Sequence, residues 1–178
     1  MKPWSTVARR IRVPVGFAFA VLYFWLARPA LSSILAGAGI AVAGLVVRGL
    51  ASGHVRKNEM LTTTGLYAYT RNPLYLGSLI MAAGFAVAAR SGWIVGVLVV
   101  FFFAIYLPVI RSEEKFLREH FPEYADYARR VPRLLPRLRA PDNGGAFSWE
   151  LYWKHREYNA AFGAAAMMAA LVAKLVWF

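Results

Sequence analysis

Five apolar runs alternate with polar stretches along the chain, at residues 13–27, 31–50, 74–89, 92–110 and 160–178. Each is close to or slightly below the ~20 residues that a membrane-spanning helix needs. Only Arg28-Pro29 separates the first two runs, and only Arg90-Ser91-Gly92 separates the third and fourth. Breaks this short predict two tight helical hairpins, with the fifth run as a C-terminal helix. The glycines of "GAGIAVAG" at 37–44, with Gly49/Gly53 and Gly92/Gly96, read as positions where helices approach closely. No strand–turn–helix context surrounds the first group, so it does not read as a dinucleotide fingerprint.

Composition moves the pattern from a soluble core to a membrane. Of the 178 residues, 59% are hydrophobic and 17% charged, against about 45–50% and about 25% in ordinary soluble domains. The chain has no cysteine, which excludes disulfides, thiolate nucleophiles and zinc–thiolate sites. Its three histidines are scattered and predict no metal site. A net charge of +12 raises the question of nucleic acid. The basic residues flank the apolar runs rather than lining one face, however, and no nucleic-acid-binding signature accompanies them.

That flanking pattern sets an orientation. Of 21 lysines and arginines, all but Arg28, Arg90 and Lys174 lie in the N-terminal segment, in 48–71 or in 111–156. The cation-rich side is expected to be cytoplasmic. The chain then starts inside, returns inside after the second and fourth runs, and ends outside. Arg9, Arg10 and Arg12 before the first run resemble the start of a secretory signal, but four further runs favour a retained helix. Arg48 and Lys174 lie near run ends, where long cationic side chains snorkel.

Polar chemistry is thereby concentrated in two cytoplasmic segments, 52–73 and 111–158. The first ends in "YTRNPLYLG", residues 69–77. One reading is a helix start, with Asn72 as cap, Pro73 at the first helical position and Arg71 at the interface. A start alone leaves the two tyrosines and the glycine beside an arginine unexplained, so a binding segment stands as the second reading. In the other segment, "RSEEKFLREHF" sets Phe116, Leu117, His120 and Phe121 at helical spacing. Glu114 and Arg118 are positioned there as an i,i+4 pair. Tyr124 and Tyr127 are one turn apart. "VPRLLPRLRAP" is expected to be extended because of its prolines, and Asn143-Gly144-Gly145 is expected to turn. "FSWELYWKHREYNAAFG" reads as an interfacial aromatic and cationic belt leading into the last run.

These residue types complement each other at a membrane surface. Arg71 and Arg111 suit bidentate contact with a carboxylate. Glu113 or Glu114 suits an ammonium group or a ribose diol. The tyrosines offer faces to a cation and edges to adenine. The set fits a zwitterionic, nucleoside-bearing cofactor better than a triphosphate, and there is no GxxxxGK[ST] loop.

"GLYAYTRNPLYLG", followed about forty residues later by "EEKFLREHFPEYADYARRVPRLLPRL", resembles the isoprenylcysteine carboxyl methyltransferase family. That family and the phospholipid N-methyltransferases form a wider group of integral-membrane enzymes that use S-adenosylmethionine. The resemblance covers roughly residues 55–139. It implies a cofactor pocket with Tyr67, Arg71, Asn72, Tyr75 and Gly77 in one wall. Glu113, Glu114, Tyr124, Tyr127 and Pro132 form or support the other. It also implies methyl transfer to a lipid-like acceptor entering from the bilayer. A carboxylate acceptor would be held by Arg111; an amine acceptor would lose its proton to Glu114. Asn72 stands where eukaryotic members typically have histidine, so this position hydrogen-bonds but cannot become cationic.

The expectation is therefore an all-α integral-membrane bundle of about five transmembrane helices, forming one unit over residues 1–178. Its cytoplasmic helical segments would build an S-adenosylmethionine site, with carboxyl O-methylation favoured over amine N-methylation. Residues 140–178 would supply an interfacial segment and the last helix. Two readings of other classes compete. One is a non-catalytic membrane adaptor. The other is a nicotinamide-dependent reductase whose phosphate site would be Arg129, Arg130 and Arg133.

Overall fold

The computed structural model describes residues 18–56, 59–139 and 145–177, and among these there is no strand. The apolar runs become helices. They are α1 (described over 18–26), α2 (Leu31–Ser52), α3 (Pro73–Ala89), α4 (Gly92–His120) and α7 (Tyr158–Trp177). Two short helices lie between the last two of these, α5 (Tyr124–Arg130) and α6 (Trp149–Lys154), and a 3-10 turn (Gly65–Ala68) precedes α3. By length and apolarity α2, α4 and α7 suffice to cross a membrane, while α3 is a shorter apolar helix of 17 residues. The chain folds as a membrane helical bundle. Residues 13–17 of the first run and Asn143-Gly144 of the expected turn lie outside the described residues.

Helices α2 and α3 make the tightest pair, and the reason is local. Gly37 and Gly44 on α2 face Gly84 and Gly77 on α3. A Cβ on Gly37 would sit 2.4 Å from the Gly84 carbonyl oxygen, and one on Gly44 would sit 2.6 Å from that of Gly77. In lipid, helices associate through such close approach rather than through a hydrophobic driving force. The expected packing roles of Gly92 and Gly96 are not realised: a Cβ on either meets nothing within 4 Å. The hairpin between α3 and α4 closes instead at Arg90, which takes a left-handed φ of 51°. Arg28 donates its backbone N–H to the Ala89 carbonyl at 2.8 Å. Lys174 reaches back from α7 to the carbonyls of Phe24 and Trp25. Thus Arg28, Arg90 and Lys174, the three cations apart from the rest, gather at one end of the bundle.

The fourth run does not stop at Ile110. It continues without a break as a 29-residue helix to His120. Its irregularity lies earlier, in a π turn over Phe102–Tyr106. Pro108 stands two residues beyond it, lacks an N–H and crowds the carbonyl four residues before it. A widened turn accommodates that defect without ending the helix. The polar last turns of α4 therefore stand rigidly on a membrane helix, at the end of the bundle opposite Arg28 and Arg90.

Candidate cofactor and acceptor site

The hinge before α3 and the proline-rich stretch after α5 are laced together by backbone bonds. The Arg71 N–H donates to the Pro132 carbonyl (2.9 Å), and the Arg137 N–H donates to that of Tyr69 (3.0 Å). Arg137 Nε donates to the Ala68 carbonyl at 2.9 Å. Thr70 Oγ1 donates to the carbonyls of Arg133 and Leu134. Prolines keep 131–139 out of helix, and the carbonyls thus left unpaired become acceptors for the hinge.

Glu114 lies beneath this lacing and is 6% exposed. Its Oε2 accepts from Arg133 Nε at 2.9 Å and lies 2.8 Å from Arg133 Nη2. Its Oε1 accepts from Asn72 Nδ2 at 3.0 Å and lies 3.6 Å from Arg71 Nη2. The bond to Glu114 pushes the Arg133 guanidinium pKa upward. Two local expectations are corrected here. Glu114 does not pair with Arg118, whose guanidinium lies 6.0 Å from the Tyr124 ring centroid. Asn72 does stand at the N-cap of α3, but its side chain makes no capping bond; its amide is turned so that Nδ2 donates to Glu114 and to the Arg133 carbonyl at 2.9 Å. Pro73 does occupy the first turn. In each case a buried carboxylate with long-range partners outcompetes a solvated local contact.

The three arginines of the supposed phosphate cluster do not converge either. Arg133 is committed to Glu114, Arg129 pairs with Asp126 at 2.9 Å, and Arg130 Nε donates to the Asp126 carbonyl.

Tyrosines complete the frame. Tyr127 donates its hydroxyl to the Tyr67 carbonyl at 2.8 Å. Arg71 Nη1 donates to the Tyr124 hydroxyl at 3.4 Å. Burial pushes the phenols of Tyr67, Tyr124 and Tyr127 above their ordinary value, with neighbouring carboxylates and phenols adding to the effect. They remain protonated, and therefore donors, at neutral pH.

A cleft of about 1370 Å³ opens beside this frame. Of the residues expected from the sequence, Tyr67, Arg71, Asn72, Tyr75, Glu113, Tyr127 and Arg111 line it. Glu114 and Tyr124 lie behind the wall, in contact with Arg71. Gly77 faces α2, against Arg48 and Gly44. Arg111 is exposed and makes no ion pair among the described residues. Arg71 Nε is buried and has no hydrogen-bond partner among the described residues, an orphan donor beside the cleft that calls for an acceptor.

Sequence reasoning missed a further part of the wall. Arg48 on α2 donates through Nε to Glu157, and through Nη1 to Ser78 Oγ and the Leu74 carbonyl. His155 Nδ1 lies 3.1 Å from the Ser52 carbonyl. Arg48, Ser78, His155 and Glu157 all line the cleft. The available signal was one lone arginine late in the second run and one lone acid at the head of the fifth.

Comparison with known proteins gives the family. The phospholipid methyltransferase family model matches residues 15–124. The chain is 38% identical over 159 residues to the cobalt-zinc-cadmium resistance protein CzcN of Cupriavidus metallidurans, covering 84% of this chain and 72% of that one. It is 41% identical over 83 residues to the nickel-cobalt-cadmium resistance protein NccN of Alcaligenes xylosoxydans, covering 47% and 39%. It is 31% identical over 123 residues to protein-S-isoprenylcysteine O-methyltransferase B of Arabidopsis thaliana, covering 64% and 61%. No solved structure matches. Helical bundle, polar cleft and matches together define an integral-membrane methyltransferase. The chain belongs to the phospholipid methyltransferase family.

Proposed function

We propose that this protein transfers a methyl group from S-adenosylmethionine to a carboxylate on a lipid-like acceptor, in a cleft that faces the cytoplasm. The observation that carries this reading is the cleft itself. Two polar segments far apart in sequence build it at one end of the bundle, the end where the chain's cations collect. Residues 1–178 act as one unit in this reading.

The residues present suit the cofactor. Arg71, with its orphan Nε, would take a carboxylate. The protonated tyrosines and Glu113 offer partners for an adenine edge, a ribose diol and an ammonium group. Glu114 would act one step back, by holding Asn72 and Arg71 in place. When bound, S-adenosylmethionine supplies a methyl group already activated by its sulfonium. What remains for the chain is alignment and exclusion of water. Arg111, exposed at the cleft and without an ion pair, would hold the acceptor carboxylate.

Two observations favour carboxylate over amine. Arg48, Arg56, Arg71, Arg111 and Lys115 line the cleft against Glu113, Glu119 and Glu157, leaving an excess of cations. Glu114, the sequence's candidate base for an amine, already accepts from Asn72 and Arg133 and has the Arg71 charge beside it. The name of the Arabidopsis relative is that of an O-methyltransferase, whereas the family description leaves a phospholipid-type amine as the alternative.

The test is transfer of labelled methyl from S-adenosylmethionine into a total membrane extract. The expected product is lipid-soluble and releases its label as methanol in mild base. Label stable to base would indicate an amine, and no transfer would refute the reading.

A further inference from the structure

A second cavity, of about 340 Å³ and mostly apolar in lining, lies between α3 and the π turn of α4. Phe85 from α3, Leu98 and Phe101 from α4, and Phe19 from α1 give it its character. It adjoins the polar cleft at a neck formed by Arg48, Ser78 and Tyr106, which line both. Arg48 is the only cation among the described residues that lines both cavities. Arg111 lines the polar cleft alone.

Arg48 is held as a fixed donor rather than a free surface charge. Glu157 grips its Nε, while Ser78 Oγ and the Leu74 carbonyl grip Nη1. Nη2 is the remaining corner of the fork. The turn that carries Glu157 is itself strained. Arg156 adopts a left-handed φ of 52°, unfavourable for a residue with a Cβ. It is exposed, whereas its neighbours His155 and Glu157 both line the cleft. Strain held in this way marks a place where side-chain direction matters. The turn also lies beyond the family match, which ends at residue 124.

We propose that the neck is a selectivity site, at which Arg48, backed by Glu157, admits an amphiphile whose chain lies in the apolar pocket and whose head is an oxyanion, carboxylate or phosphate. Arg48 reads the head on entry from the bilayer, and Arg111 holds it for transfer. This rests on the methyl-transfer reading of the cleft and adds a residue that determines the acceptor's charge. Glu157 both orients Arg48 and competes with the oxyanion for it, so the two side chains have opposite effects on binding. A mere strut between α2 and α7 would give effects of the same sign.

The experiment is equilibrium binding of radiolabelled decyl phosphate to the full chain in phosphatidylcholine nanodiscs, corrected for partition into empty discs. Decyltrimethylammonium and inorganic phosphate serve as comparisons. The expected result is saturable binding of decyl phosphate, about tenfold or more tighter than the ammonium amphiphile, as one charge-assisted contact provides. Inorganic phosphate should not compete. Arg48→Gln should abolish the preference, and Glu157→Gln should tighten decyl phosphate binding severalfold. Binding without charge preference, competition by inorganic phosphate, or weaker binding in Glu157→Gln would each overturn the proposal. The last of these decides the matter even if Arg48→Gln fails to fold. S-adenosylhomocysteine binding to the same wild-type discs separates the two readings. Anion selectivity without it keeps the neck and removes the methyl-transfer reading, whereas its presence without selectivity overturns the neck alone.

Discussion

Glu114→Gln is expected to weaken S-adenosylmethionine binding by up to about 1.5–3 kcal/mol, the range for the one charge-assisted bond from Arg71 that Glu114 holds in place, and to lower the melting temperature as well. The substitution nearly conserves shape, removes the charge, and turns one acceptor oxygen into a donor that must face either Asn72 or Arg133. Arg133 is half-exposed and can turn to water, but the Arg71 side chain is 11% exposed and cannot. A buried arginine without its carboxylate destabilises both the fold and the place it occupies. Arg133→Gln in the same background should recover part of the stability, because Glu114 and Arg133 are coupled through one ion pair. Cofactor affinity should recover less, since Arg71 still lacks its counter-charge. Unchanged affinity and melting temperature in Glu114→Gln would mean that the knot does not hold Arg71.

Arg111→Lys is the second large effect. Lysine keeps the charge but loses the planar fork that fits a carboxylate. Turnover should fall by about tenfold or more, in line with the loss of one charge-assisted bond, while cofactor affinity stays near wild type. The pH profile distinguishes the acceptor. A carboxylate with a pKa of about 3.5–4 is ionised throughout pH 6–9, so wild-type turnover should be flat there. An amine must be neutral to attack, so turnover would rise with pH toward the amine's own pKa. A rising profile with little effect of Arg111→Lys would move the reading to the amine. Unchanged rates on both acceptor types would remove Arg111 from the site.

Much of this was legible in the chain, for physical reasons. Lipid demands long apolar runs, and tight breaks allow only hairpins, so the helices could be read from their apolar stretches, except that the fourth runs on through polar residues to His120. The hinge and the Glu-Glu helix were legible because their residue types are out of place between apolar runs. The errors came where a long-range partner displaced a local one. Asn72 reads as a cap and Glu114 as the mate of Arg118, because both contacts are near in sequence. Arg133, 19 residues from Glu114, claims the carboxylate instead. Arg48 reads as a snorkelling side chain because its partner, Glu157, lies 109 residues away, and no local period signals such a pair. Gly92 and Gly96 look like Gly44 in sequence. Only the neighbouring helix distinguishes them, since it touches Gly44 and leaves the other two open.

In the proposed function, two distant polar segments build one S-adenosylmethionine pocket at the membrane surface. Calorimetric titration of the purified protein in nanodiscs with S-adenosylmethionine tests it most directly, with S-adenosylhomocysteine as competitor and Arg71→Gln as the matched variant. One saturable site, competition by the demethylated product, and loss of binding in a variant that remains folded are expected. Absence of binding to wild type, or wild-type affinity in Arg71→Gln, would contradict it.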